Sequence, residues 1–230
     1  MSPKKKRKSK IQEICCRKPI QLSMALLLPF VIIGGYFYPK LGFTVVGMIT
    51  LFMILSSQRG RFYCGWLCPM GAFHERILTK VSLHRPIPPI YKTSWFRWFI
   101  FLIMMGFMLS RLWAAWGDPE AVGTVFRMMW IVSMGIAIGL GVYFKARVWC
   151  IICPMGSLQG VASKNTYLLT VDDTCVECGL CRKVCPVDTY PGNYKVETGT
   201  STVPSIECLR CFNCVHNCPK DSLSFQGVDM

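Results

Sequence analysis

Two common cofactor signatures are missing from this chain. It has no Cys-x-x-Cys-His, so covalent haem is not indicated, and no Gly-x-Gly-x-x-Gly, so no dinucleotide fold is marked. Acidic side chains are scarce, 12 Asp and Glu against 26 Lys and Arg, and charged residues make up only 17% of the sequence. With 52% hydrophobic residues and a mean hydropathy of +0.38, this composition excludes a disordered chain, a collagen-like chain and an ordinary soluble enzyme.

Cysteine, by contrast, is abundant. Of the 14 cysteines in 230 residues ten follow Trp149, whereas the apolar residues concentrate before Phe144. A disulfide scaffold does not fit, because such chains are short, polar and secreted, and most of these cysteines stand at metal-ligand spacings; reduced thiols are expected. Residues 1–18 carry eight Lys or Arg against Glu13, residues 57–94 carry six against Glu75, and residues 145–230 hold eight charges of each sign. The net charge of +14 thus flanks apolar segments instead of forming a basic face on the tail, and nucleic acid is not an expected partner. The string Pro3, Lys4, Lys5, Lys6, Arg7, Lys8 resembles a nuclear localisation signal, but a solvated basic flank beside an apolar helix explains it too.

Four apolar stretches, 22–38, 41–57, 95–116 and 125–144, approach or reach the roughly 20 helical residues that cross a bilayer core of about 30 Å. Only Pro39 and Lys40 separate the first two, which predicts a tight helical hairpin. Pro29 is tolerable inside a membrane span, where neighbours satisfy the freed carbonyl. Buried helices of a soluble bundle would need polar faces that these segments lack. The prediction is an integral membrane α-helical fold, four transmembrane helices in two repeated hairpins, with a basic tail at 1–18, a membrane domain at 19–164 and a ferredoxin-like domain at 165–230. The basic N-terminus, 58–94 loop and segment after Phe144 place both termini in the cytoplasm by the positive-inside rule. Trp95, Trp98, Trp113, Trp116 and Trp130 lie near span ends, where indole rings anchor at headgroups. No cleavable signal peptide is evident, since the first apolar run follows a long basic segment and leads into a second span.

A motif is used twice. Arg61-Phe-Tyr-Cys64-Gly-Trp-Leu-Cys68-Pro69-Met70-Gly71-Ala72 follows the second stretch, and Arg147-Val-Trp-Cys150-Ile-Ile-Cys153-Pro154-Met155-Gly156-Ser157 follows the fourth. Two crossings separate the copies, so both lie on one side of the membrane as parallel repeats. Pro69 and Pro154 suit the first position of a helix, and Met70, Phe73, Ile77 and Val81 then recur at helical spacing, predicting an interfacial helix. Cys64, Cys68, Cys150 and Cys153 make a complete ligand set for an iron-sulfur cluster or another metal; a redox dithiol and inert packing remain open.

The strongest pattern lies in the tail, where Cys175, Cys178, Cys181, Cys185-Pro186 and then Cys208, Cys211, Cys214, Cys218-Pro219 both match Cys-x2-Cys-x2-Cys-x3-Cys-Pro. In two-cluster ferredoxins the fourth cysteine of each run ligates the other cluster. Cys175, Cys178, Cys181 and Cys218 are therefore assigned to one 4Fe-4S cluster, and Cys208, Cys211, Cys214 and Cys185 to the other. Zinc is the alternative, disfavoured by eight thiols in two such runs. Residues 187–207, with Pro191, Gly192, Gly199 and Pro204, read as a loop between the halves.

On the two Cys-Pro motifs and the two cysteine runs, nearly the whole chain resembles the NapH-type membrane iron-sulfur proteins. Related groups are the NosR-type regulators, the ferredoxin-type methylamine-utilisation proteins and the CcoG-type copper-handling proteins. The resemblance implies a quinol dehydrogenase of a bacterial or archaeal cytoplasmic membrane. Its partners would be the lipid quinone pool and other redox subunits: a ferredoxin-like protein, a cytochrome, or a terminal reductase or dehydrogenase. The second pair here is spaced Cys-x2-Cys, against three intervening residues in the family pattern. A metallocentre-assembly or copper-reducing protein is the second reading, with Cys64, Cys68, Cys150 and Cys153 as its site.

Among single residues, His74 and Glu75 near the inner boundary are the candidates for hydrogen bonding and proton exchange with a quinone headgroup, against a role in interfacial hydrogen bonding. His84 and His216 read as ordinary polar residues and Arg111 as a snorkelling charge, while Asp118 and Glu120 fit proton acceptance on the outer side and a solvated loop equally well. Adjacent Cys15 and Cys16 read as small buried residues. Iron-sulfur potentials span about -700 to +450 mV, so the direction of electron flow does not follow from the ligands.

Overall fold

The computed structural model describes residues 3–38, 43–163 and 166–225, with side chains from Arg17 onward except Ser57. The side chains of Lys4 to Lys8, Cys15 and Cys16, the turn at Pro39 and Lys40, and the boundary at residues 164 and 165 lie outside the described residues.

Helix α1 (Pro3–Phe37) runs unbroken from the basic flank into the first span and contains both Pro19 and Pro29. α2 (Phe43–Arg59) follows, then the short α3 (Phe62–Trp66) and α4 (Pro69–Arg76). α5 (Ser94–Ala114) and α6 (Pro119–Tyr143) form the second hairpin, and the short α7 (Trp149–Ile152) and α8 (Pro154–Ala162) close the repeat. Among the described residues three segments, Arg17–Phe37, Ser94–Ala114 and Pro119–Tyr143, are long and apolar enough to cross a bilayer. Four were expected. The described apolar part of α2, Phe43–Ser56, would rise only about 21 Å at 1.5 Å per residue, short of a core of about 30 Å.

The outer faces of the long helices suit lipid. Leu26, Phe30, Leu102, Leu109, Trp95 and Trp113 all stand exposed, an arrangement that water would oppose. Arg111 is exposed and lies over the Phe107 ring at 5.2 Å. Arg127 of α6 donates to the Gly35 carbonyl at 2.5 Å, satisfying a carbonyl near the end of α1.

As expected, Pro69 and Pro154 open helices. The interfacial helix is shorter than the periodicity suggested: α4 stops at Arg76, a 3-10 turn occupies Leu78–Lys80, and Ile77 and Val81 are exposed while Met70 is buried.

The tail is a small α+β unit. Strands β1 (Leu169–Asp172), β2 (Thr200–Val203) and β3 (Leu223–Phe225) form an antiparallel sheet in the order β2-β1-β3, with Leu169 opposite Val203 on one side and Phe225 on the other. Leu169, Val171, Val203, Phe212, Val215, Leu223 and Phe225 form its core, flanked by α9 (Leu180–Val184) and α10 (Asn213–His216). Residues 187–207 thus include a strand and a 3-10 turn, Pro191–Tyr194, where the glycines and prolines suggested only a loop.

The tail sits directly on the short helices. Val187 and Leu209 pack in the same core as Trp149, Ile151 and Ile152. The buried Arg210 guanidinium donates to the carbonyls of Thr166 and Tyr167, each at 2.7 Å, while its own carbonyl accepts from the Trp66 indole at 3.2 Å. Lys145 pairs with Asp188 at 2.7 Å, and Ser205 donates to the Gly160 carbonyl at 2.6 Å. At Gly65 a Cβ would lie 2.4 Å from the Leu209 carbonyl oxygen, a backbone atom that cannot rotate away. Gly65→Ala is therefore expected to destabilise the docked state by about 1–3 kcal/mol. A fall in the thermal midpoint of the detergent-solubilised protein checks it, with Gly106→Ala, where a Cβ meets nothing within 4 Å, as the control.

Candidate iron-sulfur and thiol sites

The eight tail thiols fall into two sets around two apolar cavities. Cys185, Cys208, Cys211 and Cys214 line one, and Cys175, Cys178, Cys181 and Cys218 line the other. Cys185 of the first run thus lines the cavity of Cys208, Cys211 and Cys214, and Cys218 of the second lines that of Cys175, Cys178 and Cys181.

The two runs also share their backbone turns. Glu177 and Arg210 have φ of 51° and 52°, and Gly179 and Phe212 have 74° and 64°. Phe212 holds a left-handed conformation unfavourable to a bulky side chain because its ring fills the tail core. These turns aim amides at sulfur: the Arg210 N–H lies 3.4 Å from Cys208 Sγ and the Thr189 N–H 3.3 Å from Cys185 Sγ.

Burial pushes the Cys208 thiol up to about 11 and the Cys185 thiol up to about 12, neighbouring cysteines adding to the effect. Among the described residues, no three His, Cys, Asp or Glu side chains are placed to hold a single metal ion. A zinc tetrahedron with bonds of about 2.3 Å would draw its sulfurs within about 4 Å of one another. Thiols spread around an apolar cavity suit the larger iron-sulfur cube, and the residues present fit the two 4Fe-4S groups.

The Cys-Pro motifs meet at the top of the membrane helices and are cross-linked by their own arginines. Arg61 Nη2 donates to the Cys150 carbonyl at 2.6 Å, and Arg147 Nη1 donates to the Cys64 carbonyl at 2.6 Å. Both guanidiniums are 1% exposed. A one-turn helix such as α3 or α7 leaves its final carbonyls without intrahelical partners, and each is satisfied by the other copy. The Pro-Met-Gly glycines make room: a Cβ on Gly71 would lie 2.8 Å from Arg147 Nη1, and one on Gly156 would lie 2.6 Å from Arg61 Nη2. The second Arg61 amine donates to the Ile206 carbonyl at 2.5 Å, extending the link to the tail.

This symmetry brings Cys64, Cys68, Cys150 and Cys153 into one neighbourhood, close enough that each of Cys68, Cys150 and Cys153 is influenced by the charge of others in the set. Burial raises all three, Cys153 to about 11. The Cys64 thiol donates to Gln159 Oε1 at 2.9 Å, and Gln159 is itself 1% exposed. Sequence reasoning missed Gln159, because nothing in the repeat marks it. The paired arginines were visible three residues before each first cysteine, but their crossed contacts were not.

His74 and Glu75 prove to have different surroundings. Glu75 Oε2 accepts from Arg17 at 2.8 Å and from Arg147 at 2.5 Å, with Gln21 at 3.3 Å. Burial opposes its charge, yet the Arg147 and Arg17 guanidiniums overcome that and hold the carboxyl below its ordinary 4.5. The His74 ring is fully buried, and neither nitrogen has a hydrogen-bond partner among the described residues. Burial and the Arg147 charge push it down to about 3, so it is neutral at physiological pH. Glu75 therefore anchors the arginine of the second motif to α1, and His74 packs beneath it. Arg17 also donates to the Gly65 carbonyl and to Asn213 Oδ1, tying α1 to the tail.

Two expectations follow. Cys218→Ser should remove about four irons and leave the signal of the cluster held by Cys208, Cys211, Cys214 and Cys185; iron analysis with electron paramagnetic resonance checks this, and loss of that second signal instead would contradict the crossed sets. Glu75→Gln should cost about 3–5 kcal/mol by leaving buried Arg147 without its anion. Because the folded carboxyl lies below 4.5, this contribution is complete above that pH and fades as pH falls through the folded value. The gap in thermal midpoint between parent and variant should accordingly be widest near neutrality and close in acid.

Residues 41–88 and 126–169, which contain the two Cys-Pro motifs, both match a family described as a 4Fe-4S binding domain, and residues 167–219 match one described as a 4Fe-4S dicluster domain. The chain is 26% identical, over 79% of its length and 78% of the relative's, to an uncharacterised protein of Methanocaldococcus jannaschii. It is also 26% identical to YccM of Escherichia coli, named an electron transport protein, over 75% of this chain and 52% of YccM. A further match, 26% identical over 74% of this chain and 25% of the relative, is the regulatory protein NosR of Pseudomonas aeruginosa. No solved structure matches. With 4Fe-4S domains matched in both halves and, among the described residues, three helices apolar enough for a bilayer, the chain is a membrane electron-transfer protein homologous to YccM and NosR.

Proposed function

We propose that this protein exchanges electrons between a lipid quinone pool and partner redox proteins, as a NapH-type quinol dehydrogenase subunit with both termini in the cytoplasm. The observation that carries this reading is the placement of three thiol sets in series. Cys64, Cys68, Cys150 and Cys153 lie at the ends of the membrane helices. The Cys185, Cys208, Cys211 and Cys214 set abuts them: Leu209 and Cys185 share the core of Cys150, and Cys211 feels the charges of Arg17, Glu75 and Arg147. The Cys175, Cys178, Cys181 and Cys218 set is the outermost, with Cys178 exposed. When bound, 4Fe-4S groups supply one-electron redox chemistry at such sites.

The first set is read as the ligands of a third cluster. Arg61 and Arg210 are buried cations with no carboxylate partner in the ion pairs of the described residues. A buried cation needs an anion, and a thiolate-ligated centre is one. The outer set, whose Cys178 is exposed beside the exposed apolar side chains of Val176 and Leu180, is read as the docking point of a ferredoxin-like protein, a cytochrome, or a terminal reductase or dehydrogenase. A metallocentre-assembly role using Cys64, Cys68, Cys150 and Cys153 would not require quinol to reduce the tail.

Intact protein purified anaerobically is expected to carry about twelve irons, four per cluster. Cys64→Ala or Cys150→Ala should lower this to about eight, keep both tail signals and slow quinol-driven reduction at least tenfold. Unchanged iron in both variants would leave these thiols as a redox dithiol or as packing.

A further inference from the structure

A large cavity stands between the membrane helices and the two Cys-Pro turns. It has a volume of about 140 Å³, is open along part of its surface, is walled by α2, α5 and α6, and is lined at the Cys-Pro turns by Cys68 and Cys153. Its size suits a ligand ring, and small-molecule sites are commonly apolar with a few placed polar groups. Methionines dominate the wall, among them Met104, Met108 and Met129, with Met70 and Met155 supplied symmetrically by the two Pro-Met-Gly turns. Flexible thioethers pack well against flat unsaturated rings.

The polar groups are what select the ligand. Tyr63 and Trp149 occupy the same place in the two motifs, each immediately before the first cysteine, and both line this cavity. Each is only 3% exposed, and neither the Tyr63 hydroxyl nor the Trp149 indole nitrogen has a hydrogen-bond partner among the described residues. A buried donor without an acceptor costs about 1–3 kcal/mol, so two of them in symmetric positions on one apolar cavity point to something absent that accepts. An indole N–H only donates and cannot ligate a cation, which argues against a metal ion as the occupant.

We infer that this cavity binds the ring of a lipid quinone, with the Tyr63 O–H and the Trp149 N–H donating to its two carbonyl oxygens. A para-quinone is flat, apolar on both faces and carries two acceptors at opposite ends, matching two donors contributed by opposite repeats. The spans that wall the cavity give a lipid-dissolved molecule a route that avoids water. This deepens the quinone exchange proposed above and rests on it. It also locates the ring away from His74 and Glu75, whose polar atoms are sealed or engaged by arginines.

The test uses the intact iron-loaded protein in detergent, a photoreactive azidobenzoquinone, and decylbenzoquinone as the equilibrium ligand. Photolabel on the parent protein is expected in peptides covering residues 45–52, 104–108 or 126–133, displaced by decylbenzoquinone. Tyr63→Phe and Trp149→Phe, which keep ring bulk and remove one donor, should each weaken decylbenzoquinone binding about three- to tenfold, with iron content as the check on folding. Label confined to residues 73–84, label displaced equally well by a plain alkyl chain, or unchanged affinity in both variants would overturn the site. Quinol-driven reduction persisting alongside unchanged affinity would remove this site and keep the proposed function. Binding here without any reduction by quinol would do the reverse.

Discussion

The structure depends on an exchange of arginines between two copies of one motif. Arg61 is used by the carbonyl of Cys150, and Arg147 by that of Cys64, so neither half satisfies its own short helix. Each buried guanidinium gains charge-assisted hydrogen bonds of about 1.5–3 kcal/mol apiece, and each would be costly to leave unpaired. The halves must therefore assemble together. The same contacts explain the Pro-Met-Gly turns, whose glycines leave the space through which each arginine passes.

From this crossing the rest of the molecule is positioned in layers. Glu75 bridges Arg147 to Arg17 and so fixes α1, while the other branch of Arg61 reaches Ile206 and fixes the tail. Arg210 then secures the linker at Tyr167 and Thr166. Buried cations thus surround the thiols nearest the membrane, whereas Cys178 in the outermost set meets solvent. Charge, hydrogen bonding to sulfur and solvent exposure all tune iron-sulfur potentials, so the three sets have different electrostatic surroundings despite their shared ligand type.

The repeat extends beyond its cysteines. Tyr63 and Trp149 differ in chemistry yet share position, burial and an unpaired donor, and Met70 and Met155 face the same cavity. Duplication therefore yields a two-sided chamber as well as a four-thiol set, and both sit at the junction between lipid and tail.

Much of this was legible without coordinates because cluster ligands come from tight turns. The two Cys-x2-Cys-x2-Cys-x3-Cys-Pro runs marked eight cysteines, and these line two cavities in sets of four. The doubled motif pointed to Cys64, Cys68, Cys150 and Cys153 as one group, and Pro69 and Pro154 marked two helix starts. Strands of three or four residues in the tail, the early end of α4 and the different fates of His74 and Glu75 were not legible. Each depends on contacts between segments far apart in the chain. Side-chain ligands recur at fixed spacing and can be read from their identity, but the acceptors that organise this molecule are backbone carbonyls at Cys64, Cys150, Gly65, Tyr167 and Ile206. Every residue carries such a carbonyl, so only the tertiary structure decides which of them a buried arginine finds.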